Sequence, residues 1–508
     1  MTRKILKLSV AATAGVLCLA LAVIPSHSAR ADVLVAGSDN PAKEAVANPA
    51  VGDEYVGDVE APAPGQQPIS TRSENGEGLV KDAAVHAEPW TANNGFKGWK
   101  VHVPDGKPLA TPAVADGVVY VGGGFGTYDF YAFDAEAGNL KWQYHVSDDG
   151  PTAAIVHKGR VAFNTESCIL YVLDAKTGEK VWSQWLGDPL MAMPAAAGEK
   201  LYMTYPAGDG FHHLSCRDLN SGAQKWDQPL TAEAITSPVV SGGAVFVSCA
   251  DGTVFHFAGD TGKLIWKDQK LATSAPWVVG EDVFVSKRQE QVEGGNKVQY
   301  EGIALLGRGT GTQSNAELYA YGKADYLNPE TGTEYAHKQA ELDSSVGFSS
   351  APGAAKLDLA EANLGVGSVS GYWSYQGSRP LVADGVSYNA MGDAARAVDV
   401  KTGKVVWEKR YKPKENVGGR ALTPPAKAGD KLYFGSSDGD VICVRASDGE
   451  ELWRFNVGEP VRFQPAVMDG RVYVGTDLGN IFCVDVRDAS ATGWAMWGGN
   501  AGHNGWEE

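Results

Sequence analysis

The sequence is short of cysteine, of basic charge and of long apolar runs, and each shortage excludes a class of function. Six cysteines occur in 508 residues, with no C-x-x-C, no C-x-x-C-H and no adjacent pair. Thiol redox chemistry, covalent haem attachment and a cysteine zinc site therefore lose their usual residue pattern. Lysine and arginine number 44 against 61 acidic residues, a net charge of −17. So acidic a chain is a poor match for nucleic acid or an anionic lipid surface. Only one apolar run is long, Leu8 to Ile24, and it lies at the N-terminus. It follows Arg3, Lys4 and Lys7, is broken by Pro25, and precedes Ala29-Arg30-Ala31. That order reads as a cleaved secretory signal over residues 1–31. Cys18 lacks the small neighbours of a lipoprotein box. Cleavage takes the net charge to −21 and leaves five cysteines, Cys168, Cys216, Cys249, Cys443 and Cys483. No membrane insertion is expected after cleavage, and the location implied is periplasmic or extracellular.

Residues 32–88 lack aromatics almost entirely, are rich in Ala, Pro and Gly, and hold 11 acids against 3 bases. A segment of that composition cannot bury enough apolar surface to offset its ordering entropy, so it reads as a disordered acidic linker.

From about residue 89 a repeat of about 40 residues takes over. Eight β-rich runs open its units: Val118-Val119-Tyr120, Val161-Ala162-Phe163, Leu201-Tyr202-Met203, Val245-Phe246-Val247, Val283-Phe284-Val285, Val386-Ser387-Tyr388, Leu432-Tyr433-Phe434 and Val472-Tyr473-Val474. Each is followed by a second strand, a turn, and a strand bearing tryptophan. The turn and tryptophan follow A-x-D-x-x-x-G-x-x-x-W: Asp134, Gly138, Trp142; Asp174, Gly178, Trp182; Asp218, Gly222, Trp226; and Asp399, Gly403, Trp407. Gly262 with Trp266 and Gly449 with Trp453 keep two members, Ala258 and Arg445 standing where Asp would be. Glycine supplies positive φ in the turn, and Asp accepts hydrogen bonds from its backbone. Between Trp266 and Trp407 two further units are expected, one with its turn at Asn328–Gly332 and Ala336 in the tryptophan position.

A four-stranded sheet of this size cannot bury both faces alone, so units stack radially and close. The expected fold is all-β, an eight-bladed β-propeller of four-stranded antiparallel blades over residues 89–508. Phe96–Val103 resembles an outer strand yet precedes the first complete unit. It is expected to finish the last blade, whose own copy decays after Asp485.

The unit Val172-Leu173-Asp174-Ala175-Lys176-Thr177-Gly178-Glu179-Lys180-Val181-Trp182 resembles the tryptophan-docking motif of pyrroloquinoline-quinone-like propellers. The tail Trp497–Gly505 is similar to a Trp and Gly segment of the same group. The resemblance implies one of two functions. Quinoprotein dehydrogenases hold the quinone (PQQ) with calcium over the channel; a non-catalytic branch, including an outer-membrane-assembly lipoprotein, uses the ring for docking. This sequence lacks the adjacent-cysteine pair of the dehydrogenases, and their calcium carboxylates and catalytic Asp map onto no motif here. It also lacks the lipoprotein anchor.

Other candidates read as structural. Cys216, Cys443 and Cys483 share one register and are expected as small buried core residues, because packed sheets about 10 Å apart exceed disulfide reach. His212 and His213, adjacent on a strand, point to opposite faces. Asp251-Gly252, Asp438-Gly439 and Asp260-Thr261-Gly262 fall at hairpin turns and lack the spacing of a calcium loop. The segment 288–380 is the most individual. It holds a charged stretch (Arg288–Lys297), a Gly/Thr run (Gly307–Thr312) and an aromatic patch, Tyr372, Trp373 and Tyr375, that forms a candidate binding loop. The function expected is a non-catalytic, monomeric envelope scaffold that binds protein partners, with no cofactor. The alternatives are a PQQ- and calcium-dependent oxidoreductase and a polysaccharide binder.

Overall fold

The computed structural model describes residues 76–502, apart from 82, 125, 188–192, 210, 233, 235–236, 294–295, 315–319, 324–379, 392–393, 412–421 and 501. All of them fall in one compact unit, Pro62–Glu508. The signal segment and the binding-loop residues Tyr372, Trp373 and Tyr375 lie outside the described residues.

Eight antiparallel sheets follow one another along the chain. In blade 1 the strands are Ala113–Ala115, Val118–Gly122, Asp129–Asp134 and Leu140–His145, from the innermost outwards. Tyr120, Ala132 and Trp142 lie side by side across it. The register then slips, so that Phe133 pairs with Leu140 and Lys141 is bulged out. The same slip recurs beside Trp182, Trp226, Trp266, Trp407 and Trp453. A bulge re-aims the strand locally, and here it stands next to the residue that must reach the neighbouring blade.

The innermost strands are three residues long and small where the ring converges, as in Ala113–Ala115, Ala195–Ala197 and Ala426–Ala428. The inner strand of blade 8, Ala466–Met468, lies against that of blade 1. Closure is as expected: Lys97–His102 pairs with Asn480–Asp485, bringing Trp99 opposite Cys483. Ala87–Thr91 then adds a fifth strand outside it.

Two expectations need correction. The composition predicts a linker to residue 88, but Gly78–Leu79 pairs with the outer strand of blade 1 and Glu77 is buried there. This short run folds here because the ring supplies a ladder partner for its backbone and an enclosed set of partners for Glu77. Second, the docking turn of blade 5 is at Gly307–Gly311, not at Asn328–Gly332, which lies outside the described residues. Gly311 N–H donates to Gly307 O (2.7 Å) and Arg308 N–H to Glu281 O (2.8 Å), the pattern of the other turns. The Gly/Thr run is therefore part of the repeat rather than of an insertion. Likewise the charged stretch belongs to a hairpin of two 12-residue strands, Asp282–Glu293 and Asn296–Gly307. Cys168, Cys216, Cys249, Cys443 and Cys483 are all buried, which for Cys216, Cys443 and Cys483 is the expected core position.

Candidate functional site

The glycine and tryptophan of one motif copy do not meet each other; Gly138, Gly178, Gly222, Gly262, Gly311 and Gly449 each receive the tryptophan of the preceding blade. Trp142 Nε1–H donates to Ala175 O (3.2 Å), and its ring lies on Gly178, where a Cβ would stand 2.6 Å from Cδ2. Trp182 docks likewise on Leu219 O and Gly222, and Trp226 on Gly259 O and Gly262. Trp266 docks on Arg308 O and Gly311, and Trp407 on Ala446 O and Gly449. Trp99 docks on Ala135 O and Gly138, carrying the pattern across the closed seam. A buried indole needs a partner for its one N–H, and the carbonyl of the next turn provides it.

A second donor was not foreseen. Tyr120, Tyr202 and Tyr473 hydroxyls bond the same carbonyls, Ala175 O (3.1 Å), Gly259 O (3.2 Å) and Ala135 O (3.2 Å), as the tryptophans of their blades. The signal was visible: a tyrosine recurs in the opening strand opposite the tryptophan. The seam between blades 7 and 8 departs from the rule. Ala489 stands where the other turns have glycine, Arg487 two residues earlier takes the positive φ, and Trp453 packs edge-on against Phe96, just ahead of the closing strand, 5.4 Å between centroids.

In the turns Asp134, Asp174, Asp218 and Asp399 each accept backbone N–H bonds two and three residues on. Their carboxyls are held below the usual range. For Asp218 the main cause is the Lys225 ammonium, with Ser221 and Asn220 adding to it, down to about 2. Where Ala258 or Arg445 replaces Asp, the turn survives on the backbone bond from the glycine N–H, 2.8 Å in both. The Gly403 turn keeps the same bond to Asp399 O (2.8 Å). These residues are joints between blades.

The centre of the ring is crossed by the C-terminal tail. Val467 and Trp494 exchange backbone bonds, Val114 N–H reaches Ala495 O (2.9 Å), and Ala196 N–H reaches Gly502 O (3.0 Å). Those partners are inner strands of blades 8, 1 and 3. Trp494 stacks on Trp277 of the blade 5 inner strand, 5.7 Å apart and 11° from parallel. Met496 and Trp497 are fully buried.

The two faces of the ring differ. One carries the polar docking turns. The other carries the loops joining second to third strands and outer to next inner strands. On that loop face Tyr128, Trp185, Phe211, Leu271 and Leu478 are all 46–54% exposed, one from each of blades 1, 2, 3, 4 and 8. The blade 5 hairpin rises from the same face. Its strands stay paired out to Glu293 and Asn296, about seven residues beyond the usual end, or roughly 20 Å at strand rise. Glu166 lies there too; burial, then Asp149, push its carboxyl up to about 8.

A planar quinone bearing carboxylates would need an indole face, cations and, with calcium, oxygen ligands. The Trp277 face is already covered by Trp494. The inner strands contribute one lysine, Lys427, which is held on Gly429 O (2.9 Å). Among the described residues no group of three or more His, Cys, Asp or Glu is placed to hold a metal. The described residues of the channel thus do not fit the group. Also among the described residues, no helix is long and apolar enough to cross a membrane.

Known proteins of both functional kinds are similar to this chain. Outer membrane protein assembly factor BamB of Xanthomonas campestris is 36% identical over 106 residues, 20% of this chain and 25% of that protein. Quinoprotein ethanol dehydrogenase of Pseudomonas aeruginosa is 27% identical over 188 residues, 30% of each chain. Tetrathionate hydrolase of Acidithiobacillus ferrooxidans matches over 69% of its length at 20% identity. A 1-butanol dehydrogenase (quinone) of Thauera butanivorans is matched over only 22% of its length. Among solved structures, BamB from Moraxella catarrhalis superposes with a TM-score of 0.50 at 16% identity, covering 79% of this chain and all of that one. A quinohemoprotein alcohol dehydrogenase from Pseudomonas putida does so with a TM-score of 0.50 at 16% identity, covering 78% and 76%. Both likenesses establish the propeller fold. The family model described as outer membrane protein assembly factor BamB matches residues 89–189, 166–332 and 373–498, and the chain belongs to that family.

Proposed function

We propose that this ring is a non-catalytic docking scaffold of the cell envelope, and that it binds protein partners through its loop face. The observation that carries this reading is the set of apolar side chains among the loops of one face; of the other exposed ones, Leu264, Ile265, Val405, Val406 and Leu452 stand on outer strands just past the docking turns. Single exposed apolar side chains are ordinary on any surface. Here five large ones come from five blades on one face, beside a hairpin that projects from it. Apolar and aromatic groups supported by a rigid frame are what a protein interface uses for affinity. The relative whose name refers to outer membrane protein assembly supports the same reading, as does a channel filled by the chain's own Trp494–Trp497. The signal segment and the acidic linker belong to this proposal as the route of export.

The quinoprotein relatives support a second reading, a PQQ- and calcium-dependent oxidoreductase. One pair of experiments separates the two. A photo-crosslinking residue is placed at 128, 185, 211, 271 or 478 in the full chain, with 136, 176 and 401 in the docking turns as controls. Discrete adducts in the envelope fraction from the first set alone are expected; equal yields from both sets would refute the loop face. Purified protein given PQQ and calcium is expected to keep its melting temperature and to reduce no dye with alcohols. A rise in melting temperature with turnover would overturn the scaffold reading.

A further inference from the structure

The segment just ahead of the ring is bound to it as a ligand is bound to a site. Gly78 and Leu79 pair with His145 and Tyr144 on the outer strand of blade 1, and Val80 N–H donates to Gln143 O (2.9 Å). The Glu77 side chain, 5% exposed, is enclosed between blades 1 and 2. Tyr144 Oη donates to its Oε1 (2.8 Å) and Tyr171 Oη to its Oε2 (3.4 Å). Lys180 Nζ, itself 13% exposed, forms an ion pair with Oε1. A buried carboxylate is tolerated only with such partners. Gly78 has φ +146°, which disfavours a side chain, and Leu79, 42% exposed, rests one side of its side chain on the docking turn at Gly178. Three features are therefore read in order: a carboxylate, a glycine and a branched apolar side chain. Blade 8 is the other blade with a fifth strand among the described residues, and its added strand Ala87–Thr91 runs on into the closing strand.

We propose that the outer edge of blade 1, beside blade 2, is a strand-acceptor site. Filled here by the chain's own Glu77–Val80, it takes in trans an extended peptide of the form Glu-Gly-(branched apolar). Backbone pairing supplies affinity and the carboxylate pocket supplies selectivity, the usual division in strand addition to a sheet edge. The segment is tethered to the ring it binds, so its effective concentration is high and a free peptide must compete with it. The site is a sheet edge that meets the loop face at His145, which pairs with Gly78 and stacks on Tyr128 at 5.9 Å; its peptide-binding test does not depend on the scaffold reading.

The test uses the full-length chain with Glu77→Lys and Leu79→Asp, which empties the site, and a fluorescent peptide of the native residues 76–84. Saturable binding is expected by anisotropy, at least about tenfold tighter than to the unaltered chain. A peptide with Glu→Gln at its second position is expected to bind about tenfold more weakly, and Lys180→Met in the emptied chain abolishes the difference between the two. Should the double variant unfold, Leu79→Asp alone serves. The proposal is overturned if a variant that keeps its circular dichroism and unfolding midpoint fails to bind the native peptide, or binds the Glu and Gln peptides equally.

Discussion

Replacing Gly262 with alanine should cost far more than replacing Gly243, although both stand in turns of blade 4 with similar backbone. Gly243 has φ +75° and nothing within 4 Å of a Cβ; Gly262 has φ +68° and a Cβ there would meet Trp226 at 2.7, 2.8 and 3.0 Å. Left-handed backbone strain costs about 1–2 kcal/mol in either variant. Loss of unfolded-chain entropy on Gly→Ala is common to both and cancels. Overlap with a buried, hydrogen-bonded indole adds about 1–3 kcal/mol at Gly262 alone. Trp226 cannot swing away without losing its bond to Gly259 O (2.9 Å). The measurement is the denaturant midpoint at unchanged slope, followed by tryptophan fluorescence. Adding Trp226→Leu removes the obstacle, so Gly262→Ala in that background should cost no more than Gly243→Ala. Equal costs for the two glycines in the native background, or a difference that persists with Trp226→Leu, would refute docking by steric fit.

Two further outcomes follow from burial and charge. Burial pushes the Cys216, Cys443 and Cys483 thiols up to about 12. The folded ring should therefore resist thiol labelling at pH 8 and label fully in denaturant, and prompt native labelling would contradict it. Unfolded thiols ionise near 9 while the folded ones keep their protons, so these groups make stability fall as pH rises above about 9. The Asp218 carboxyl has the opposite sign: Lys225 holds it at about 2, so its contribution is present above about 3.8 and is lost as pH falls towards 2. Asp218→Asn should flatten the acid limb of melting temperature against pH between those values; an unchanged limb would rule the turn carboxylate out.

The repeat was legible because each copy is made of residues with a local reason to be there. Asp and Gly build the turn, and the tryptophan spacing fixes the unit, so the number of blades and the closing strand around Trp99 could be read directly. The turn of blade 5 was misplaced because two of its three marks are missing: Gly307 stands where Asp would be, and no tryptophan follows Gly311 at the usual offset. Asn328–Gly332 offered a better local match than the segment that takes the role. The receiving partner of each tryptophan was not legible either, since the motif lists glycine and tryptophan together while the fold joins them across blades. The Trp494–Trp277 stack and the Glu77 pocket have no periodic signal. They depend on pairs of residues hundreds or tens of positions apart, and only the closed ring brings them together.

Closure by the Lys97–His102 strand also sets the order in which the molecule can form. His102 and Asn480 are hydrogen-bonded neighbours 378 positions apart in the chain. Bringing such distant ends together costs about 5 kcal/mol in chain entropy before a single ladder bond forms. Seven blades can assemble from near neighbours as the polypeptide emerges, but the eighth must wait for the final strand. An interrupted chain is left with an open seam and a bare sheet edge at each end, the kind of surface that proteases and chaperones act on. Completion of the polypeptide and burial of its last edges are thus one event.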